Sequence, residues 1–208
     1  MNIERLKQAE ADFLRRYPGG FDNPEMQEVG RKHKMDKMME LARAAFAKEQ
    51  FNRPELIVDQ MAKIISRSSM ISVFEKPKFR DFITALSAQD RRLLVHGLEA
   101  LLHGDEQDGF ERVLDVLKQG KLAKWSLMTI CQTYYRPEVE VFVKPTTTKW
   151  AIEYFELSPL TYHSTPTWAF YSAYRAVINE MKTLVDASLS PANAAFTGFL
   201  MMSMDARF

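Results

Sequence analysis

Proline falls in this chain where helices would begin. Asn23-Pro24, Thr165-Pro166 and Ser190-Pro191 each set a capping side chain before a proline, and Pro54 opens an apolar-periodic run. A proline at the first helical position loses nothing, because its missing N–H would lack an intrahelical partner anyway. Behind these starts, apolar residues recur every three or four positions. Met35, Met38, Met39, Ala42, Ala45 and Phe46 make a methionine-rich row, and Leu56, Ile57, Met61 and Ile64 another. That spacing marks amphipathic helices with one buried face. A methionine row also suits an adaptable groove or a contact with a second copy of the chain.

The signals continue along the chain. "SAQDRRLLVHGLEALLHG" opens on Ser87, with Asp90 three residues on as in a capping box, and closes at Gly104. Further helices are expected near 3–16, 24–46, 107–119, 122–135, 148–157, 166–187 and 191–204. Only "EVEVFV", 138–143, alternates with period two. One such segment makes no sheet, so it reads as an extended connector or half of a small hairpin. The expected class is therefore all-α, an irregular bundle of eight or nine helices. "SRSSMISVFEKPK" loses the period, so a single domain over 1–208 could subdivide there, into 1–70 and 71–208.

Composition removes several function classes. With 46% hydrophobic and 26% charged residues the chain has ample material for a core, and its formal charge of +1 makes it no general polyanion trap. The single cysteine, Cys131, excludes an internal disulfide and fits a cytoplasmic setting, as a small buried hydrophobe in "SLMTICQTYY". The start, "MNIERLKQAEADFL", lacks the apolar block of a signal peptide, and "AAFTGFLMMSM" is too short to span a bilayer. No membrane partner is expected, and that last run reads as a buried helix. His96, Glu99 and His103 share a helical face, but three loose ligands without a fourth make no metal site. No phosphate-binding glycine loop and no nucleophile motif is present, so no cofactor is expected.

The aromatic residues are unevenly placed. All three tryptophans and six of seven tyrosines lie between 121 and 175, interleaved with Lys124, Arg136, Lys144, Lys149 and Arg175. Trp168, Tyr171 and Arg175 fall on one stripe of a helix whose core-facing stripe would be Phe170, Tyr174, Val177 and Met181. Rings beside cations suit base stacking and phosphate contact, and equally suit packing with cationic stems laid over rings. "VFVKPTTTKW" carries the other half of the pattern. Lys144, Thr146, Thr147, Lys149 and Trp150 cluster at a helix start, where Thr146 or Thr147 would cap. Lys149 in the first turn would oppose the helix dipole unless an anion binds there, or unless Glu138, Glu140 or Glu153 neutralises it.

"LLHG", "FERVLDVL", "KWSLMTI", "VFVKPTTTKWA", "TYHSTPTWAFYSAY" and "LSPANAAFTGFLMM" occur in that order over about 100–204. Together they resemble a pattern found in uncharacterised bacterial proteins, K-W-x-L-x-T, F-x-K-P-x-x-T-K and P-x-W-x-x-Y followed by an L-x-P helix. The resemblance implies a shared C-terminal helical module without an established activity. Asn193, Ala194, Ala195 and Thr197 stand where that pattern carries acidic and glutamine residues, so no catalytic role is expected there.

The expected function is a non-catalytic binding or adaptor module. Its candidate ligand-binding residues are Lys144, Thr146, Thr147, Lys149, Trp150, Trp168, Tyr171 and Arg175, and its partner a nucleic acid, a nucleotide or an acidic protein surface. Two alternatives stand beside it: an enzyme with a pocket around Tyr134, Lys144, Lys149, His163 and Arg175, or a structural component that forms homo-oligomers through its methionine-rich faces.

Overall fold

A computed structural model of the chain describes residues 1–204. Eleven α-helices follow one another, joined by turns and three short 3-10 segments. They are α1 (Ile3–Arg16), α2 (Pro24–His33), α3 (Met35–Ala45), α4 (Pro54–Arg67), α5 (Glu75–Ala85), α6 (Ala88–His103), α7 (Glu106–Gln119), α8 (Trp125–Tyr135), α9 (Pro145–Tyr154), α10 (Trp168–Thr183) and α11 (Asn193–Met204). No β-strand occurs among the described residues, and none of their helices is long and apolar enough to cross a membrane. The all-α class holds.

The helix count exceeds the expected eight or nine for two local reasons. The segment expected as one helix over 24–46 divides at Lys34, whose φ of 54° is left-handed and ends α2 before α3 begins. The stretch read as a break contains α5. Pro77 sits within its first turn, where no backbone donor is needed, and Phe79 and Ile83 supply the buried face.

Of the expected caps, Asn23 and Ser87 start their helices, whereas α10 and α11 begin two residues beyond Pro166 and Pro191, at Trp168 and Asn193. Asn23 accepts from the Glu25 N–H at 3.0 Å, with Pro24 opening α2. Ser87 caps α6 by accepting from the Asp90 N–H at 3.0 Å, and its hydroxyl donates to the Asp90 carboxylate at 2.6 Å, a bond between side chains where a full capping box would use the Ser87 backbone N–H. At α10 the cap is Thr167 rather than Thr165, accepting from Phe170 N–H, and the helix begins at Trp168.

The helices enclose one apolar core. Leu6 and Phe13 of α1, Met38 and Ala42 of α3, Ile57 and Ile64 of α4, Leu94 of α6, Phe110 of α7, Tyr171 of α10 and Phe199 of α11 all belong to it. The methionine row is thus used inside this chain: Met38 is 3% exposed, with Met35 and Met39 half-buried against the core. The last apolar run is also buried, through Phe196, Phe199 and Leu200. α6 and α7 pack closely because glycines lie between them. A Cβ on Gly109 would collide with the Leu101 backbone, and one on Gly97 would press on Val113 at 3.0 Å.

The amino-terminal helices are fastened to the rest by polar bonds. Asn2 N–H donates to the Phe155 carbonyl at 2.7 Å, and the Ser68 and Tyr134 hydroxyls share a buried hydrogen bond of 2.9 Å.

A candidate anion-binding face

The connector between α8 and α9 organises the aromatic and basic residues. Pro137–Val139 turn, and the chain then passes through 140–143 without helix or partner strand to Lys144, whose backbone is extended. Val141, Phe142 and Val143 are all buried, so the alternation seen in sequence does not become an in–out alternation in space. Side chains satisfy the connector's backbone instead of a ladder. Val141 N–H donates to the Tyr171 hydroxyl at 3.2 Å, and Val143 N–H to the Thr129 hydroxyl at 3.1 Å.

Glu140 is fully buried and explains where Arg175 goes. Its carboxylate accepts from the Tyr171 hydroxyl at 2.6 Å and from Arg175 Nη1 at 2.9 Å, and it pairs with Arg136 Nη2 at 2.7 Å. Glu106, at the first position of α7, meets the same two guanidiniums, at 2.6 Å from Arg175 and 2.9 Å from Arg136. Two cations and two anions therefore close on one another between α7, α8, the connector and α10. Burying so many charges is tolerable only when each is paired and hydrogen-bonded.

The pKa directions follow from this arrangement. Burial pushes the Glu106 carboxyl up, but Arg175 and Arg136 outweigh it and hold the group below its ordinary value. Burial, reinforced by the Glu140 carboxylate, carries the Tyr171 phenol well above its ordinary value. Burial also works against the Arg175 charge, yet Glu106 and Glu140 prevail and fix it as a cation. The Arg175 guanidinium further lies over the Trp168 and Tyr171 rings, 5.4 and 5.6 Å from their centroids.

The eight candidate residues thus divide. Trp168, Tyr171 and Arg175 face inward: Tyr171 is fully buried, Trp168 is packed against the core, and Arg175 retains 16% side-chain exposure. The stripe expected to carry them outward is interior, because Tyr171 shares the core with Tyr174, Ile178 and Met181 while Val177 is only partly buried. Thr147 is buried as well. Lys144, Thr146, Lys149 and Trp150 remain outside, on α9 and at its start.

α9 begins three residues earlier than expected. Thr146 and Thr147 therefore lie within the helix, and its cap position, Lys144, offers no side-chain hydrogen bond. Lys149 falls beyond the first turn, so the opposition to the dipole is relieved by register. None of the three glutamates proposed for it is its ion-pair partner; Glu138 pairs with Arg43 at 2.9 Å, Glu140 lies in the buried cluster, and the Lys149 ammonium sits 5.0 Å from the Tyr162 ring centroid.

The outer stripe of α9 also carries Tyr154, which is not among the eight candidates. Trp150 is 44% exposed and Tyr154, one turn on, 38%. The Arg5 guanidinium lies 5.6 Å from the Tyr154 ring centroid, while it donates to the Tyr154 carbonyl at 2.7 Å and pairs with Glu156 at 3.1 Å. The i, i+4 spacing of Trp150 and Tyr154 was legible, but nothing local pointed to Arg5, 149 residues away.

The alternative enzyme set does not line the cleft found among the described residues. A shallow cleft of about 520 Å³ is lined by Arg43, Leu102, His103, Tyr135, Arg136 and Glu138, none of which belongs to that set. His163 is exposed, its carbonyl accepting from Trp125 Nε1 at 2.7 Å, and Tyr134 is buried against Ser68. Burial drives the Cys131 thiol up to about 12, which leaves no thiolate near neutral pH. The His96, Glu99 and His103 row does not converge. His96 lies 3.7 Å from Glu99, whereas His103 turns its Nε2 to the Phe46 carbonyl at 2.8 Å. Among the described residues no group of three or more His, Cys, Asp or Glu side chains could hold a metal ion.

No protein-family model matches the chain, and no curated protein or solved structure matches it either.

Proposed function

We propose that the chain is a non-catalytic binding module for an anionic partner that carries flat rings, a nucleic-acid strand first and a nucleotide second. Its working surface is the outer stripe of α9, reduced from the eight candidates to Lys144, Thr146, Lys149 and Trp150 and extended by Tyr154 and Arg5. One observation carries this reading: Trp150 and Tyr154 stand exposed one turn apart with cations on both sides. Exposed rings accept bases on their faces, each stack contributing about 1–3 kcal/mol, while lysines track phosphates. Trp168, Tyr171 and Arg175 take a supporting part, holding the connector from which α9 starts. A cytoplasmic location and kinship with the uncharacterised bacterial proteins accompany this reading, which needs neither metal nor cofactor.

Tryptophan fluorescence tests it. A single-stranded oligonucleotide of about ten residues should quench the emission saturably and less strongly as salt rises. Trp150→Ala should abolish that quenching, because Trp125 is 1% exposed and Trp168 is packed against the core. Lys149→Ala should weaken binding without changing the melt. Unaltered binding by Trp150→Ala would remove α9 from the site.

A further inference from the structure

The two most exposed large apolar side chains among the described residues are neighbours, Val73 at 70% and Phe74 at 77%. They occupy the turn between α4 and α5, and their prominence has no packing explanation. The turn and the stretch that contacts it are rich in cations. Residues 28–37, at the end of α2 and the start of α3, approach it directly, since His33 Nδ1 and the Ser69 hydroxyl lie 2.8 Å apart. Together 28–37 and 67–81 hold eight Lys/Arg against four Asp/Glu, a net of +4. The remainder of the chain, twenty cations against twenty-three anions, is at −3.

Three of those four acidic groups are already engaged. Glu28 pairs with Arg31 at 2.7 Å and Asp81 with Arg80 at 3.2 Å. Glu75 accepts from Ser126 at 3.0 Å and pairs with Lys124 at 3.4 Å, adding another cation beside the turn. Lys32, Lys34, Lys37, Arg67 and Lys78 are exposed on the same two stretches, and Val29 adds a third apolar group at 40%.

We infer that this face docks on an anionic lipid surface, with Val73 and Phe74 entering the headgroup boundary and the surrounding lysines and arginines against acidic headgroups. Apolar insertion and basic attraction are each weak alone and sufficient together, and that is the pairing found here. Charge favours any polyanion, but the apex chooses among them. A base could stack on Phe74, whereas adjacent valine and phenylalanine side chains standing free gain most from an apolar phase. The contact is peripheral and requires no spanning helix. It lies on elements other than α9, so it stands independently of the binding site proposed there.

Vesicle co-sedimentation of the full chain decides it. Wild type should pellet with phosphatidylcholine vesicles that contain phosphatidylserine, and far less with phosphatidylcholine alone. Binding should fall in about 0.5 M salt, where exposed charges are screened. The double variant Val73→Ala/Phe74→Ala should bind about tenfold less or weaker still. Lys32→Gln/Lys78→Gln, one cation from each stretch, should lose about twentyfold, at roughly fivefold per charge. All four positions are exposed or at a turn, and an unchanged melt confirms that each variant is folded. Failure of the wild type to pellet with the acidic vesicles overturns the inference. So does equal binding by the Val73/Phe74 variant, because the face would then be a polyanion site, as for nucleic acid, without apolar insertion.

Discussion

Arg175 and Lys149 come from the same aromatic and basic segment, yet they live in opposite surroundings. Arg175 lies over two rings and between two carboxylates, with 16% of its side chain exposed. Lys149 stands on the outside of α9 with one half-buried ring, Tyr162, beneath it. The contrast teaches that an aromatic–cation pattern reports a preference for cations beside rings and not which side of the surface they occupy. The determining partner is an acid: Glu140 and Glu106 draw Arg175 inward, and Lys149 has no such carboxylate within ion-pair distance among the described residues.

The largest effect should come from removing the shared carboxylate. Glu140→Ala leaves Arg136 and Arg175 short of an anion in a buried place, and loss of one partner from such a cluster costs about 3–5 kcal/mol. Denaturant unfolding would read this as a lower midpoint. An effect below about 1 kcal/mol would mean that water replaces Glu140 and that the two regions differ less than the burial implies.

Arg175→Lys should come next, costing about 1–3 kcal/mol, because an ammonium lacks the planar fork that meets Glu106 and Glu140 at once beside the Trp168 ring. A melt equal to wild type would reduce the cluster to charge neutralisation without geometry.

Acid sharpens the comparison from another direction. The Glu106 carboxyl titrates below its ordinary value, so its ionisation stabilises the fold. That contribution is complete above the ordinary glutamate range of about 4.3 and is lost as pH falls through the folded value. Melting temperature followed downward from pH 6 should therefore drop less steeply in Glu106→Gln than in wild type, from a lower starting point. Parallel slopes would show that Glu106 is as free as a surface acid. At the alkaline end the sign reverses. Tyr171 keeps its proton in the fold, so stability should decline above about pH 10, where the unfolded chain can release it.

The smallest effects belong to the outer face. Lys149→Ala and Trp150→Ala should each shift stability by no more than about 0.5 kcal/mol, since both side chains are exposed. A larger loss would indicate that the Lys149–Tyr162 contact fastens the 155–167 segment to α9, making this region structural like its counterpart. Thr148→Val is a companion test. Its buried hydroxyl lacks a well-formed hydrogen bond, although it tempers the rise of the Tyr174 phenol, which burial takes to about 12. The substitution should be near neutral.

Legibility in the sequence followed the range of the interaction. Asn23-Pro24 and the Ser87–Asp90 pair marked helix starts correctly, because a cap is made by residues two or three positions apart. The division of α2 from α3 escaped notice, since Lys34 carries no glycine-like preference for its left-handed backbone. α5 was hidden by Pro77, a breaker within a helix and harmless in a first turn. "EVEVFV" settles as a connector and not as half of a hairpin, because side chains from α8 and α10, rather than a second strand, supply its hydrogen bonds. Of the candidate site, α9's outer residues were legible and the fate of α10's were not.

By itself the sequence determined the all-α class, most helix positions, the burial of Cys131 and of the last apolar helix, and the clustering of rings and cations in one segment. Those properties rest on periodicity, capping and composition, which act over a few neighbouring residues. Only the tertiary structure decided which cations face inward, because the acids that hold them are distant in the chain. Glu106 is 69 residues from Arg175, and Glu140 is 35. It likewise brought Arg5 beside Tyr154 and the end of α2 beside the turn carrying Phe74. Charge burial depends on pairing at a few ångströms, and the fold alone brings such distant partners together.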